Sequence, residues 1–143
     1  MEKIFINTDG GSRGNPGPGA IGIVFFDSDN KIIYKHQECI GRATNNEAEY
    51  KAIIKALELL IKSKWFLANN LAEKEVVCRL DSKLVVEQIC GRWKIKQDHL
   101  REFIVQINNL TNKIKLKISF VHIPREENSE ADRHVNEALD ATN

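Results

Sequence analysis

The chain opens on an apolar run, Ile4-Phe5-Ile6, that passes through Asn7-Thr8-Asp9 into a stretch of turn formers, Gly10 to Gly19. This pattern predicts a strand followed by a loop. Ala20 to Phe26 is a second apolar run of strand length, Asp27-Ser28-Asp29-Asn30 reads as a hairpin turn, and Ile32 to Ile40 as a third strand. Three strands on short links predict an antiparallel meander. The period then becomes helical from about Asn45 to Lys62. Glu49, Ile53, Ala56, Leu57 and Leu60 share one face, with Lys51, Lys55, Glu58 and Lys62 opposite. A less regular stretch runs through Asn69-Asn70. Beyond it come a strand at Glu75 to Leu80 and a short helix from Ser82 to Cys90, ended by Gly91. Leu100, Phe103, Ile104, Ile107 and Leu110 mark an amphipathic helix. Leu116, Ile118 and Phe120 alternate as a fifth strand, and a last helix is predicted from Ser129 to Ala141. The order βββαβααβα predicts an α/β fold, one mixed five-stranded sheet flanked by helices, with residues 1–143 as a single domain.

Composition narrows this only a little. With 42% hydrophobic and 29% charged residues the chain reads as soluble and globular. No apolar run approaches the ~20 residues needed to cross a bilayer. The N-terminus carries no signal-peptide pattern, so a cytoplasmic protein, monomeric and free of an obligate protein partner, is expected. Cys39, Cys78 and Cys90 show no C-x-x-C spacing and are expected to be small buried hydrophobes. The net charge of +1 becomes +5 for the rest of the molecule once four acids are set aside as metal ligands, mildly basic as a phosphate-binding surface requires.

Four acids stand out, each with a local explanation to weigh. Asp9 precedes Gly10-Gly11 and suits an Asp-Gly-Gly turn. Asp81 ends a strand before a helix and suits an N-cap. Ser129-Glu130-Ala131-Asp132 fits a capping box. Glu49 alone has no such explanation, because a carboxylate within an apolar stripe needs a partner or a metal. Its neighbour Glu47 closes a capping box with Thr44 and is structural. Two acids at strand ends and two near helix starts can converge at one edge of a mixed sheet. Four such carboxylates would repel one another unless divalent cations neutralise them. An all-oxygen ligand set favours Mg²⁺, with Mn²⁺ able to substitute, over Zn²⁺. Two such ions suit phosphodiester cleavage. Gly17-Pro18-Gly19-Ala20-Ile21-Gly22 matches the dinucleotide-binding glycine pattern in form, but it opens a strand rather than a helix and is set aside.

At these residues the sequence resembles the type 1 ribonuclease H family, in its short subgroup without a basic handle. Thr8-Asp9-Gly10-Gly11-Ser12 with Asn15-Pro16-Gly17 is similar to the first-strand motif, and Thr44-Asn45-Asn46-Glu47-Ala48-Glu49 to the first-helix motif. Leu80-Asp81-Ser82 resembles the fourth-strand motif and Asn128-Ser129-Glu130-Ala131-Asp132 the final-helix motif. The resemblance spans nearly the whole chain in order and spacing. It implies a ribonuclease H-like fold and a two-metal endonuclease that cuts the RNA strand of RNA/DNA hybrids, leaving 5′-phosphate and 3′-hydroxyl ends. It implies Asp9, Glu49, Asp81 and Asp132 as catalytic acids and, with Gly10, as metal ligands. Asn15, Asn45 and Asn46 would face the minor groove, where 2′-hydroxyls separate RNA from DNA. Gly11 and Ser12 would approach the RNA, Arg42 and Thr44 would grip a DNA-strand phosphate, and Lys83 stands where many members carry Gln.

Gly91-Arg92-Trp93-Lys94-Ile95-Lys96 leads directly into the next helix where many members have the handle. It is either a backbone contact or a solvated loop with Trp93 packed on the core. Many members also place a His in a mobile loop before the last Asp. Here the loop is His122-Ile123-Pro124-Arg125-Glu126-Glu127, and the resemblance favours Arg125 over His122, which continues an alternating face and is expected to be packed. His134 is placed near the acids by its helix, while His36 and His99 read as surface or half-buried positions. Three other readings stay open: a catalytically silent hybrid-binding module, a metal-free nuclease using His122 and His134, and an excised retroelement domain.

Overall fold

A computed structural model of the chain describes residues 2–63, 74–114 and 116–141. The elements run β1 (Glu2–Ser12), β2 (Gly17–Phe26), β3 (Ile32–Ala43), α1 (Asn45–Lys62), β4 (Lys74–Leu80), α2 (Lys83–Ile89), α3 (Asp98–Ile114), β5 (Lys117–His122), a 3₁₀ turn (Arg125–Glu127) and α4 (Ser129–Asp140). The stretch through Asn69-Asn70, read as irregular, lies outside the described residues. The sheet order is β3-β2-β1-β4-β5. β1, β2 and β3 form the expected antiparallel meander, while β4 lies parallel to β1 and β5 parallel to β4. The fold is α/β with one mixed sheet.

The two faces of the sheet are covered differently. On one, Ile4, Ile6, Ile21, Ile23, Val76 and Cys78 meet Ile53, Leu57 and Leu60 of α1 and Leu100 and Ile107 of α3. Truncating a buried leucine such as Leu57 to Ala in a core of this kind costs about 2–5 kcal/mol. On the other face α4 lies across β2 and β1, with Ala20, Val135, Ala138 and Leu139 as a smaller cluster. Both helices approach at glycines. A Cβ on Gly10 would stand 2.3 Å from the carbonyl of Ala48 in α1, and one on Gly22 would stand 2.2 Å from the carbonyl oxygen of Ala131 in α4. Neither distance admits a side chain, so these glycines set how near the two helix starts come to the sheet.

α1 has the expected ends. Thr44 caps it, its Oγ1 accepting from the Glu47 N–H at 3.1 Å while Glu47 Oε1 accepts from the Thr44 N–H at 2.8 Å. Three expectations need correction, and one of the two open readings of Trp93 is removed. The predicted loop from Gly10 to Gly19 shrinks to residues 13–16, because β1 and β2 keep pairing as far as Ser12 and Gly19. Cys39 and Cys90 are exposed and only Cys78 is buried, since β3 is an edge strand and Cys90 sits at the open end of α2. Trp93 is 45% exposed and does not pack into the core; its ring lies 5.9 Å from the Lys83 ammonium. His122 is exposed, because it is the last residue of β5, an edge strand. Residues 90–97 join α2 to α3 with no helix between them.

Candidate active site

Each of the four acids arrives on a different element, and the structure removes the local explanations for three. β1 runs straight through Asp9, whose register partner is Gly22, so no Asp-Gly-Gly turn forms. Ser82, not Asp81, caps α2, its Oγ accepting from the Val85 N–H at 3.3 Å. The N-cap of α4 is Asn128 and makes no side-chain cap bond, so the Ser129–Asp132 capping box is absent. Asp132 thus lies in the first turn of α4 without a capping task, half-buried and lining a cavity. Glu49 stands in the buried stripe of α1 as expected, 8% exposed, and its Oε1 accepts from the Gly10 N–H at 2.6 Å.

Asp9, Glu49 and Asp81 each offer a carboxylate oxygen within 4.8 Å of the others. Among the described residues no lysine or arginine is paired with them or with Asp132. The electrostatic consequence is direct. Burial, with the charges of Asp81 and Asp132 adding to it, pushes the Asp9 carboxyl up to about 7. Burial and the adjacent Asp9 push Glu49 well above the usual carboxylate range, against the opposing hydrogen bond from Gly10. These are oxygen donors held close together with their charge uncompensated, and a hard divalent cation is the species that suits such a set.

The acids form the floor of a cavity of about 600 Å³, whose wall includes Gly10, Gly11, Ser12, Arg13, Asn45, Asn46, Ser82, Arg125 and Asn136. Asn45 closes one side: its Oδ1 accepts from the Ser12 N–H at 2.9 Å, and its own N–H donates to Asn15 Oδ1 at 3.0 Å. The β1–β2 connection is thereby tied to the start of α1. Arg42, Thr44, Asn15, Lys83 and His122 do not line this cavity; Arg125 does. His134 is turned away from the acids, its Nδ1 lying 2.7 Å from Gln37 Oε1 of β3, because two residues along a helix point to opposite sides. His36 is half-buried and His99 is exposed.

Four contributors went unpredicted. Arg13 lines the cavity and pairs with Asp140 of α4 at 2.6 Å. Ser82 lines it while capping α2. Asn136 donates to the carbonyl and Oδ2 of Asp132 at 3.1 and 3.4 Å. Asn128 is 0% exposed, and its Nδ2 donates to the Thr8 carbonyl at 2.8 Å and to Asp81 Oδ2 at 3.1 Å. A cation in a glycine-rich loop and an asparagine one helical turn beyond Asp132 were available signals for the first and third.

The family model described as "Reverse transcriptase-like" matches residues 7–138. LC11-RNase H1, isolated from compost, superposes with a TM-score of 0.89 at 43% identity, covering 99% of both chains; a structure of it in complex with an RNA/DNA hybrid matches at the same TM-score and 42% identity, covering 97% of this chain and 98% of that one. Ribonuclease HI of Halobacterium salinarum is 41% identical over 138 residues, 96% of this chain and 65% of that protein. The bifunctional protein Rv2228c of Mycobacterium tuberculosis is 41% identical over 140 residues, 97% of this chain but 36% of its own length, so the chain spans about a third of that relative. The fold, with helices on both faces of a five-stranded sheet and acids gathered at one end, is that of a nuclease-type α/β domain. The chain belongs to the type 1 ribonuclease H family.

Proposed function

We propose that the chain is a metal-dependent endoribonuclease that hydrolyses the RNA strand of RNA/DNA hybrids, leaving 5′-phosphate and 3′-hydroxyl ends. The observation that carries this reading is the set of mutually close carboxylates, without a paired cation among the described residues, in a cavity walled by asparagines and backbone. Asp9, Glu49, Asp81 and Asp132, with the backbone of Gly10, would hold two Mg²⁺ ions, Mn²⁺ substituting. Such ions, when bound, supply the Lewis acidity that phosphodiester hydrolysis needs.

The chain's own residues do the rest. The Gly10 N–H fixes the Glu49 carboxylate toward Asp9. Asn45, already committed through Oδ1 to Ser12, keeps its amide N–H groups for a 2′-hydroxyl, with Asn46, Gly11 and Ser12 along the same wall and Asn15 just outside it, bonded to the Asn45 N–H. Arg42, Thr44 and Lys83 lie outside the cavity, where a duplex bound over it would lay its backbone, and we assign them phosphate contacts. Arg125 lines the wall just before α4, and we assign it the role of assisting product departure. A hybrid-binding module without catalysis fits less well: an uncompensated acid cluster repels phosphate, and binding alone would be stronger without it.

A labelled hybrid, with single-stranded RNA, DNA duplex and RNA duplex as controls, tests the reading. Cleavage of the hybrid's RNA strand in Mg²⁺, abolished by EDTA, is the expected result. Equal cleavage in EDTA would return attention to a metal-free mechanism.

A further inference from the structure

Asn128, the residue before α4, bonds to the carboxylate of one acid and to the backbone at or beside two others. Its Nδ2 donates to the carbonyl of Thr8, the neighbour of Asp9, at 2.8 Å. The same nitrogen donates to Asp81 Oδ2 at 3.1 Å. Its own carbonyl accepts from the Asp132 N–H at 3.1 Å. An asparagine at a helix N-cap ordinarily turns its side chain back onto the N–H groups of the first turn. Asn128 does not, and its Oδ1 is buried with no protein partner among the described residues. Two local stabilising options are therefore forgone, the cap and a satisfied acceptor. The amide is committed instead to β1 and Asp81.

The chemistry of the side chain fits that commitment. Asp81 lies just beyond β4 and is only half-buried, so repulsion from Asp9 and Glu49 would push it outward unless something holds it. A lysine or arginine would hold it more strongly, but would place a fixed positive charge beside a cation site. A neutral N–H donor restrains the carboxylate without competing with the ion. We propose that Asn128 is a positioning residue that sets the spacing of Asp9, Asp81 and Asp132 for divalent-cation binding, an inference that rests on the metal-dependent reading above.

The test compares wild type, Asn128→Ala, Asn128→Asp and a remote core variant, Ile107→Ala. Folding is checked by circular dichroism, Mn²⁺ binding by calorimetry without nucleic acid, and hybrid cleavage over a Mg²⁺ titration. Removing a group that orients a metal ligand typically weakens metal affinity or activity by about 10–100-fold. Asn128→Ala should raise the Mn²⁺ Kd by that factor and lower kcat with little change in KM, recovering in part at high Mg²⁺. Asn128→Asp, equal in size, should be worse, since it adds a carboxylate facing Asp81. Ile107→Ala should lower Tm and leave the Mn²⁺ Kd alone. Wild-type Mn²⁺ affinity and kcat in either folded Asn128 variant overturns the inference alone, as does an equal loss of affinity in Ile107→Ala. Failure of wild type to bind Mn²⁺ overturns the metal-site reading and takes the inference with it.

Discussion

Strands β1 and β4 run parallel, side by side, and carry two polar pairs on one face of the sheet. The first is Asn7 and Arg79, which are register partners. Arg79 Nε donates to Asn7 Oδ1 at 2.6 Å, and the guanidinium lies 4.4 Å from the Phe5 ring and 5.4 Å from that of Phe26. Two residues further along each segment come Asp9 and Asp81, of like charge, close to each other, and with no cationic side chain paired to either among the described residues. The ladder itself ends at Thr8 and Leu80, so Asp81 stands one residue beyond β4. The Asn7–Arg79 pair satisfies itself by a hydrogen bond, whereas the Asp9–Asp81 pair has no counter-charge among the described residues. That uncompensated charge, rather than burial or polarity, separates a candidate active site from a structural polar cluster.

The sharpest way to break the comparison is Asp81→Asn. Asparagine keeps an oxygen that can accept from Asn128, so the fold should persist while a ligand charge disappears. Cleavage of a hybrid in Mg²⁺ should fall by orders of magnitude, and hybrid binding in Ca²⁺ should survive, because phosphate contacts lie elsewhere. Near-normal Mg²⁺-dependent turnover would falsify the two-metal assignment.

Next in size is the contrast between Glu47 and Glu49. Glu47→Gln can still accept from the Thr44 N–H, so melting temperature and turnover should both stay close to wild type. Glu49→Gln can still accept from Gly10 and loses a charge that burial disfavours, so it should melt at an equal or higher temperature yet be inactive. Thermal melts and initial rates on the pair decide it, and matching activities would sink the helical-face argument.

α1 was legible to the residue because a 3.6-residue apolar period and a capping box are both local signals. The strand ends near Ser12 and Gly17 were not. Glycines there carry no side-chain pattern, and only pairing with a partner strand shows that the ladder continues. The acids were legible as a set but ambiguous singly, since a turn, a cap or a capping box explained three of them. The turn fails because β1 continues through Asp9, and the two caps fail because Ser82 and Asn128 occupy the cap positions, one residue away in each case. Asn128 itself was opaque: its side-chain partners are 47 and 120 residues distant, and no periodicity encodes them.

Stability against pH tests the uncompensated charge without any catalysis. Asp9 has a folded pKa of about 7 against a reference of 3.8, and Glu49 moves the same way. Between those values the native state holds a proton that the unfolded chain has released, so stability falls as pH rises from about 4 to about 7. The penalty is complete above that window. Asp9→Asn removes it, so in EDTA the melting temperature of the variant minus that of wild type should grow between pH 5 and pH 8. Mg²⁺ should raise wild-type Tm more at pH 8 than at pH 5, since the ion binds the ionised form. A difference independent of pH would mean the acids are not electrostatically crowded.

The self-satisfied pair makes the opposite prediction. Arg79→Met keeps an apolar stem over Phe5 but leaves buried Asn7 without its donor, which should cost about 1–3 kcal/mol in urea unfolding. Cleavage rate at 25 °C should be unchanged, because nothing at Arg79 is held in reserve for a ligand. A loss of turnover exceeding the loss of folded protein would join the two polar pairs into one functional unit.

The smallest effect concerns the rim. Arg42 is exposed on β3 and Asn45 lines the cavity, so the two should fail differently. The logarithm of hybrid affinity falls with the logarithm of salt, at about 0.9 per phosphate neutralised on a B-like duplex. Arg42→Ala should flatten that slope by about one unit, because one counterion-releasing contact is lost. Asn45→Ala removes no charge and should leave the slope alone, but it should weaken binding in two ways. It deletes a group offered to the minor groove, and it frees Ser12, whose N–H and hydroxyl both bond to Asn45 Oδ1. Asn45→Asp separates these, since its carboxylate still accepts from Ser12 but offers no N–H to a 2′-hydroxyl. If Asn45→Asp bound hybrid as well as wild type, the Ser12 tie would be the whole contribution of Asn45 and the groove contact would be struck from the assignment. Salt titrations in Ca²⁺, with DNA duplex as the second ligand, read out all three variants. Equal slope changes in Arg42→Ala and Asn45→Ala would mean that phosphate and groove contacts are exchanged between them.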